Sequence, residues 1–103
     1  MTSTELQKVV DEFNVLIDLL IDQKGKEYAN QSDRLSNFKR AALFQNCTPE
    51  KALLGMVTKQ LVSIYDLVDK VCLNYKPDPD LFREKTGDVI IYMILLQALI
   101  EEI

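Results

Sequence analysis

Two stretches of this chain carry side chains whose type and spacing could do chemistry. From Asp78 to Glu102, Leu81, Tyr92, Leu95, Leu96 and Leu99 fall on one face of a helix, and Asp88 falls within that stripe. Glu84 sits one turn earlier, on its flank. A carboxylate on a core-facing stripe costs free energy unless it meets a cation, hydrogen-bond donors or a metal. Acids in such places are frequent at functional sites; the other reading is a structural salt bridge to a Lys or Arg of a neighbouring helix. The second stretch ends the first helical segment. If helical geometry persists there, Lys24, Glu27 and Tyr28 rotate back toward the core side and form a site edge. A frayed helix end with exposed charges is the alternative.

Other polar groups read as solvated. Asp18 and Asp22 have the i,i+4 spacing of a ligand pair, but with Asp11 they lie opposite a stripe of Leu6, Phe13, Ile17 and Leu20. Lys59, Ser63, Asp66 and Lys70 follow at spacings of four, three and four. That row reads first as a solvated face with a favourable Asp66–Lys70 pair, and second as one wall of a groove opposite Asp88.

Composition limits the chemistry further. The chain has 103 residues and no His. A Ser-His-Asp or Cys-His pair within one chain is excluded, and most zinc, copper and haem sites lose their usual ligand. Acid–base or metal chemistry would have to run on Asp, Glu, Lys, Tyr or backbone. With three Gly and no phosphate-loop motif, a glycine cradle for phosphate is not expected. Twelve basic and 16 acidic residues give a net charge of −4, which argues against nucleic acid as a partner. Cys47 and Cys72 lack C-x-x-C spacing and point to a reducing cytoplasm, as a loop residue and a small helix filler. The first twenty residues carry acids and no basic leader region, so no secretory signal is expected. The longest apolar run, Val89–Leu96, has eight residues against the ~20 needed to span a bilayer, so no membrane partner is expected.

The elements that must position these groups are four helices. The first starts near Ser3 or Thr4 and runs to about Tyr28. After a polar break at Asn30–Asp33, a short second helix is capped by Ser32 or Asp33, shows Leu35, Phe38, Ala41 and Ala42 on its apolar face, and ends at Asn46–Cys47. The third has Thr48 as N-cap and Pro49 at the first helical position, where a missing N–H costs nothing, and extends to about Asn74. Its core side is Leu53, Val57, Ile64, Val68 and Val71; Met56 and Met93 also read as core. Pro77 and Pro79 break the chain, and the fourth helix runs from Asp78 or Pro79 almost to the end. The expectation is one all-α domain over residues 1–103, an antiparallel four-helix bundle with helices one, three and four long and helix two short. Val89–Leu96 is apolar on every face, with Ile90 and Ile94 on the side shared with Arg83 and Glu101. This points to a homodimer or higher oligomer through the fourth helix, against a simple scatter of exposed hydrophobes.

Two segments have a family resemblance. Lys24-Gly25-Lys26-Glu27-Tyr28, followed by Asp33 to Ala42 with Asn37-Phe38-Lys39 inside it, resembles the small phage and bacterial family called nucleotide-modification-associated domain one. That family has Lys-x-x-Asp-Tyr and Asn-Phe-Lys elements, and Glu27 stands here at the Asp place. The stretches Lys59–Asp66 and Lys85–Tyr92 resemble its later elements, so the resemblance covers residues 24–102. Gly87–Tyr92 also resembles the Glu-x-x-Asp helix of MazG-like all-α nucleotide pyrophosphohydrolases, in which acids on facing helices hold Mg²⁺ against a nucleoside triphosphate. This chain departs from that pattern: Lys85 stands three before Asp88, with Glu84 adjacent, and no Glu-Glu-x-x-Glu occurs.

The resemblance implies a phage-type helical protein of a bacterial cytoplasm that binds a nucleotide or modified nucleotide, with Mg²⁺-dependent hydrolysis as an extension. Asp88, with Glu84 or Glu27, would hold Mg²⁺. Lys24, Arg34, Lys39 or Lys59 would contact phosphate, Asn37 would belong to the substrate-binding element, and Tyr28 or Tyr92 would meet the base or sugar. The competing expectation is a non-enzymatic interaction protein that inhibits or sequesters a host factor, including a defence component, through the apolar side of the fourth helix or the acidic face. A third is a structural oligomer in which Asp88 pairs with a Lys.

Overall fold

The computed structural model describes residues 1–28 and 33–103, with side chains for all of these except 24–28. Four helices account for the ordered elements: α1 (Ser3–Tyr28), α2 (Ser36–Gln45), α3 (Pro49–Val71) and α4 (Pro79–Glu101). The all-α, four-helix reading holds, with three long helices, one short one and no β-strand among the described residues. None of these helices is long and apolar enough to cross a membrane.

The helix ends follow from local hydrogen bonding, with some shifts from the sequence expectation. The cap of α1 is Thr2, whose hydroxyl accepts from the Glu5 N–H at 3.1 Å. In α3 the Thr48 hydroxyl accepts from the Lys51 N–H at 3.3 Å, ahead of Pro49. In α4 the Asp78 carboxylate accepts from the Asp80 N–H at 2.9 Å. Asp33 does not cap α2. It accepts from the Leu35 N–H at 3.0 Å, making a tight turn before the helix, and Leu35 takes the cap position without a side-chain cap bond. Both C-terminal exits use an Asn in the left-handed region: Asn46 at φ 52° after α2 and Asn74 at φ 63° after α3. After α3, Asn74 N–H bonds to the Val71 carbonyl and Tyr75 N–H to the Lys70 carbonyl, so α3 closes at Val71 rather than at Asn74.

Helices α3 and α4, joined by residues 72–78, form an antiparallel hairpin in which Leu53 near the start of α3 meets Leu99 near the end of α4. Helix α2 lies over this end and adds Leu35 and Phe38; Met56, Tyr92, Leu95, Leu96 and Ala98 pack around the same cluster. Helix α1 packs on α4 at Gly87. A Cβ there would stand 2.9 Å from Leu16 Cδ2 and 3.8 Å from Leu20 Cδ1, so glycine permits the close approach. Arg83 of α4 bridges to Glu12 of α1 at 2.5 Å and to Asp80 at 2.9 Å.

This arrangement corrects several core assignments. Leu53, Val57 and Leu99 are buried, but Val68, Val71 and Leu81 are exposed. They lie toward the 72–78 end of the hairpin, away from the cluster that α2 covers. Leu6 is exposed because α1 meets α4 further along, around Leu16 and Leu20. Met93 is exposed rather than in the core, and Cys72 is exposed at the end of α3 rather than filling a helix gap. Phe13, Ile17 and Leu20 are half-buried, and Asp11, Asp18 and Asp22 face outward as their helical phase requires.

Candidate functional site

The best candidate site in the sequence is centred on Asp88. Helix α4 holds it half-buried, one residue from the Gly87 contact with α1 and one turn before Tyr92. The Tyr92 ring meets Phe38 edge-on, with centroids 6.5 Å apart and planes at 68°. Asp88 and Tyr92, four residues apart, share one side of α4, and Asp88 is half-buried rather than part of the buried core. Glu84, one turn earlier, is exposed. Lys24, Glu27 and Tyr28 belong to the end of α1 whose side chains lie outside the described residues. Among the described residues no three Cys, Asp or Glu side chains form a group able to hold a metal ion.

Two of the four cations named for phosphate, Arg34 and Lys39, are engaged with the protein itself. Arg34 donates from Nη2 to the Ile21 carbonyl at 2.8 Å, tying the entry of α2 to α1. Lys39 Nζ lies 2.8 Å from Asp33 Oδ2 and 2.9 Å from Glu102 Oε2. This joins the turn before α2 to the residue that ends α4. The hydrogen bond from Lys39, then that from the Leu35 N–H, hold the Asp33 carboxyl below its ordinary value. The same bond to Asp33, then that to Glu102, hold Lys39 above the ordinary lysine value. Asn37 is half-buried in the first turn of α2. Lys59, Asp66 and Lys70 are exposed on α3, with Ser63 half-buried.

The structure therefore brings Asp33, Lys39 and Glu102 together as a clamp, and it sets Tyr92 against Phe38. Glu102 was not legible as a partner of Lys39, because 63 positions separate them and only the packing of α2 on the hairpin joins them. Gln60 was also missed. It lies on the inner side of α3, and its Oε1 is buried without a hydrogen bond, a cost that an apolar residue would avoid. An open depression lined by Ala42, Leu43, Asn46, Cys47 and Thr48 marks the α2–α3 junction, away from Asp88. Its lining offers a thiol and neutral polar groups but no charge.

No family model, curated protein or solved structure matches this chain.

Proposed function

We propose that this chain is a small helical interaction module, completed by another protein chain, and not an enzyme. The observation that carries this reading is surface area. The molecule exposes 7593 Å², whereas a compact monomer of 11.8 kDa exposes about 5,900 Å². Its radius of gyration, 15.8 Å, likewise exceeds the ~13 Å of a compact domain of this length. Large apolar side chains line the outer sides of α1, α3 and α4, and Phe44 at the end of α2 is 92% exposed. Exposed apolar side chains in this number, on a surface larger than a compact monomer's, favour a face that another chain covers. The narrower form of the reading is a phage-type protein that sequesters a host factor in a bacterial cytoplasm.

A nucleotide-binding reading, with Mg²⁺ held at Asp88, rests on a different observation: a half-buried acid one turn before Tyr92 on the same helix, with Glu84 one turn earlier. Against it, Arg34 and Lys39 would have to leave internal partners to reach phosphate. One paired experiment separates the two. The chain is titrated calorimetrically with nucleoside mono-, di- and triphosphates, with and without Mg²⁺, and pyrophosphate release is followed. In parallel, immobilised chain is offered a bacterial lysate and its own mass in solution is measured. The module reading expects no heat, no release, and a protein complex that survives Asp88→Asn but not an Asp introduced on an exposed apolar face. Mg²⁺-dependent nucleotide binding lost in Asp88→Asn overturns it, as does the absence of any protein complex.

A further inference from the structure

We infer that the outer face of α3 is the seam of a homodimer, with α3 of a second copy lying against it antiparallel. This rests on the interaction-module reading and names the partner. Leu54, Thr58, Leu61, Tyr65, Val68 and Cys72 follow one another at alternating steps of four and three, the spacing of a coiled-coil seam. The row lies on the solvent side of the helix: Leu54 is 48% exposed, Leu61 43%, Tyr65 72% and Val68 46%, with Thr58 and Cys72 exposed as well. A second row on the same helix, Leu53, Met56, Val57, Gln60 and Ile64, already packs inside the chain. Helix α3 thus carries two apolar rows, and its own fold covers one.

Area and charge select the occupant. The surface excess over a compact monomer, about 1,700 Å², exceeds the ~800 Å² per partner that a standard stable interface buries. A second copy brings the same row, so a two-fold pairing covers both at once. Exposed Lys51 and Asp69 flank the row on one side, near the start and the end of the helix. In an antiparallel pair that levels Thr58 with Leu61 of the second copy, Leu54 stands level with Tyr65 of the second copy. Lys51 then stands within one residue of Asp69 of the second copy, and symmetry repeats that pair at the other end. A parallel pair would carry this flank of the two copies to opposite sides of the seam, so Lys51 and Asp69 would gain no such partner.

Sedimentation velocity on the full chain from about 1 to 100 µM, a range that brackets a standard interface of micromolar affinity, tests the pairing. The expected species has twice the 11.8 kDa chain mass. Leu61→Asp is expected to weaken the dimer about a hundredfold or more, since a charge enters the seam twice, with its circular dichroism unchanged. Lys51→Asp should weaken it about threefold to tenfold, and Lys51→Asp with Asp69→Lys should recover the loss. With Cys47 and Cys72 replaced by Ser, Leu54→Cys with Tyr65→Cys should oxidise to a covalent dimer. Leu54→Cys alone should not, because its two copies would stand ~16 Å apart along the axis, beyond disulfide reach. A covalent dimer from Leu54→Cys alone, a dimer indifferent to Leu61→Asp, or a dimer broken instead by Ile94→Asp overturns the seam. A chain that stays monomeric yet captures a different protein through the same face overturns the homodimer and leaves the module reading standing. A monomer that captures nothing overturns both.

Discussion

Leu53 and Leu54 are neighbours of identical chemistry on α3, and the fold gives them opposite fates. Leu53 is completely buried among Leu35, Phe38 and Leu99, while Leu54 is half-exposed on the outer row. Truncating Leu53 to Ala removes buried hydrocarbon and leaves a cavity between three helices. Such changes cost about 3–5 kcal/mol at rigid, fully buried positions. The whole domain has only ~5–15 kcal/mol to lose, and its fully buried apolar set is small, so the lower part of that range applies. Leu53→Ala should therefore lower the urea midpoint by about 2 M or more and the melting temperature by ~12–24 °C. Leu54→Ala should cost about 1 kcal/mol or less. Both are read by circular dichroism during urea unfolding, at a concentration where sedimentation shows monomer. A loss below about 1.5 kcal/mol for Leu53→Ala, or equal losses at both positions, would refute the packing of α2 on the hairpin.

The two helical glycines on α3 and α4 should respond differently to Ala. At Gly55 a Cβ meets nothing within 4 Å, so under the same monomeric conditions Gly55→Ala should stabilise by about 0.5–1 kcal/mol; at Gly87 the Leu16 contact should cancel most of that gain in thermal melts. Gln60→Met removes the orphaned Oε1 while keeping the side-chain shape, and should raise the urea midpoint by the equivalent of about 1 kcal/mol. The Asp33–Lys39 pair should give a pH-dependent difference between wild type and Lys39→Met. Asp33 titrates below its ordinary 3.8 in the fold, so its stabilisation is present above 3.8 and is lost as pH falls through the lower folded value. Lys39 titrates above its ordinary 10.5, so its share is present below 10.5 and is lost as pH rises through the higher folded value. The difference in urea midpoint should be flat between these limits and shrink outside both; a difference that does not change with pH would refute the clamp.

Much of the architecture was legible because helices are specified locally. The Thr48–Pro49 and Asp78–Pro79 starts, the breaks between helices and the outward phase of Asp11, Asp18 and Asp22 all depend on residues within a turn or two of each other. The same local reasoning placed Asp88 within the core stripe of α4, where the fold leaves it half-buried rather than buried. It misjudged how far burial extends along each helix. Val71 and Leu81 have the right phase for a core but lie beyond the point where α2 covers the hairpin, and a helical wheel carries no information about where a neighbouring helix stops; Val68 falls instead in the outer row of α3.

By itself, then, the sequence determined that the chain is helical, roughly where each helix begins and ends, and that chemistry without His would fall to carboxylates, Lys, Arg and Tyr. Only the tertiary structure decided which apolar rows are covered and which polar groups are already partnered. Arg34 holds the Ile21 carbonyl, and Lys39, paired with Asp33, reaches Glu102 across 63 positions. Such contacts depend on distances between helices, and those are set by side-chain volumes at a few crossings, such as the missing Cβ at Gly87 that lets α1 approach α4.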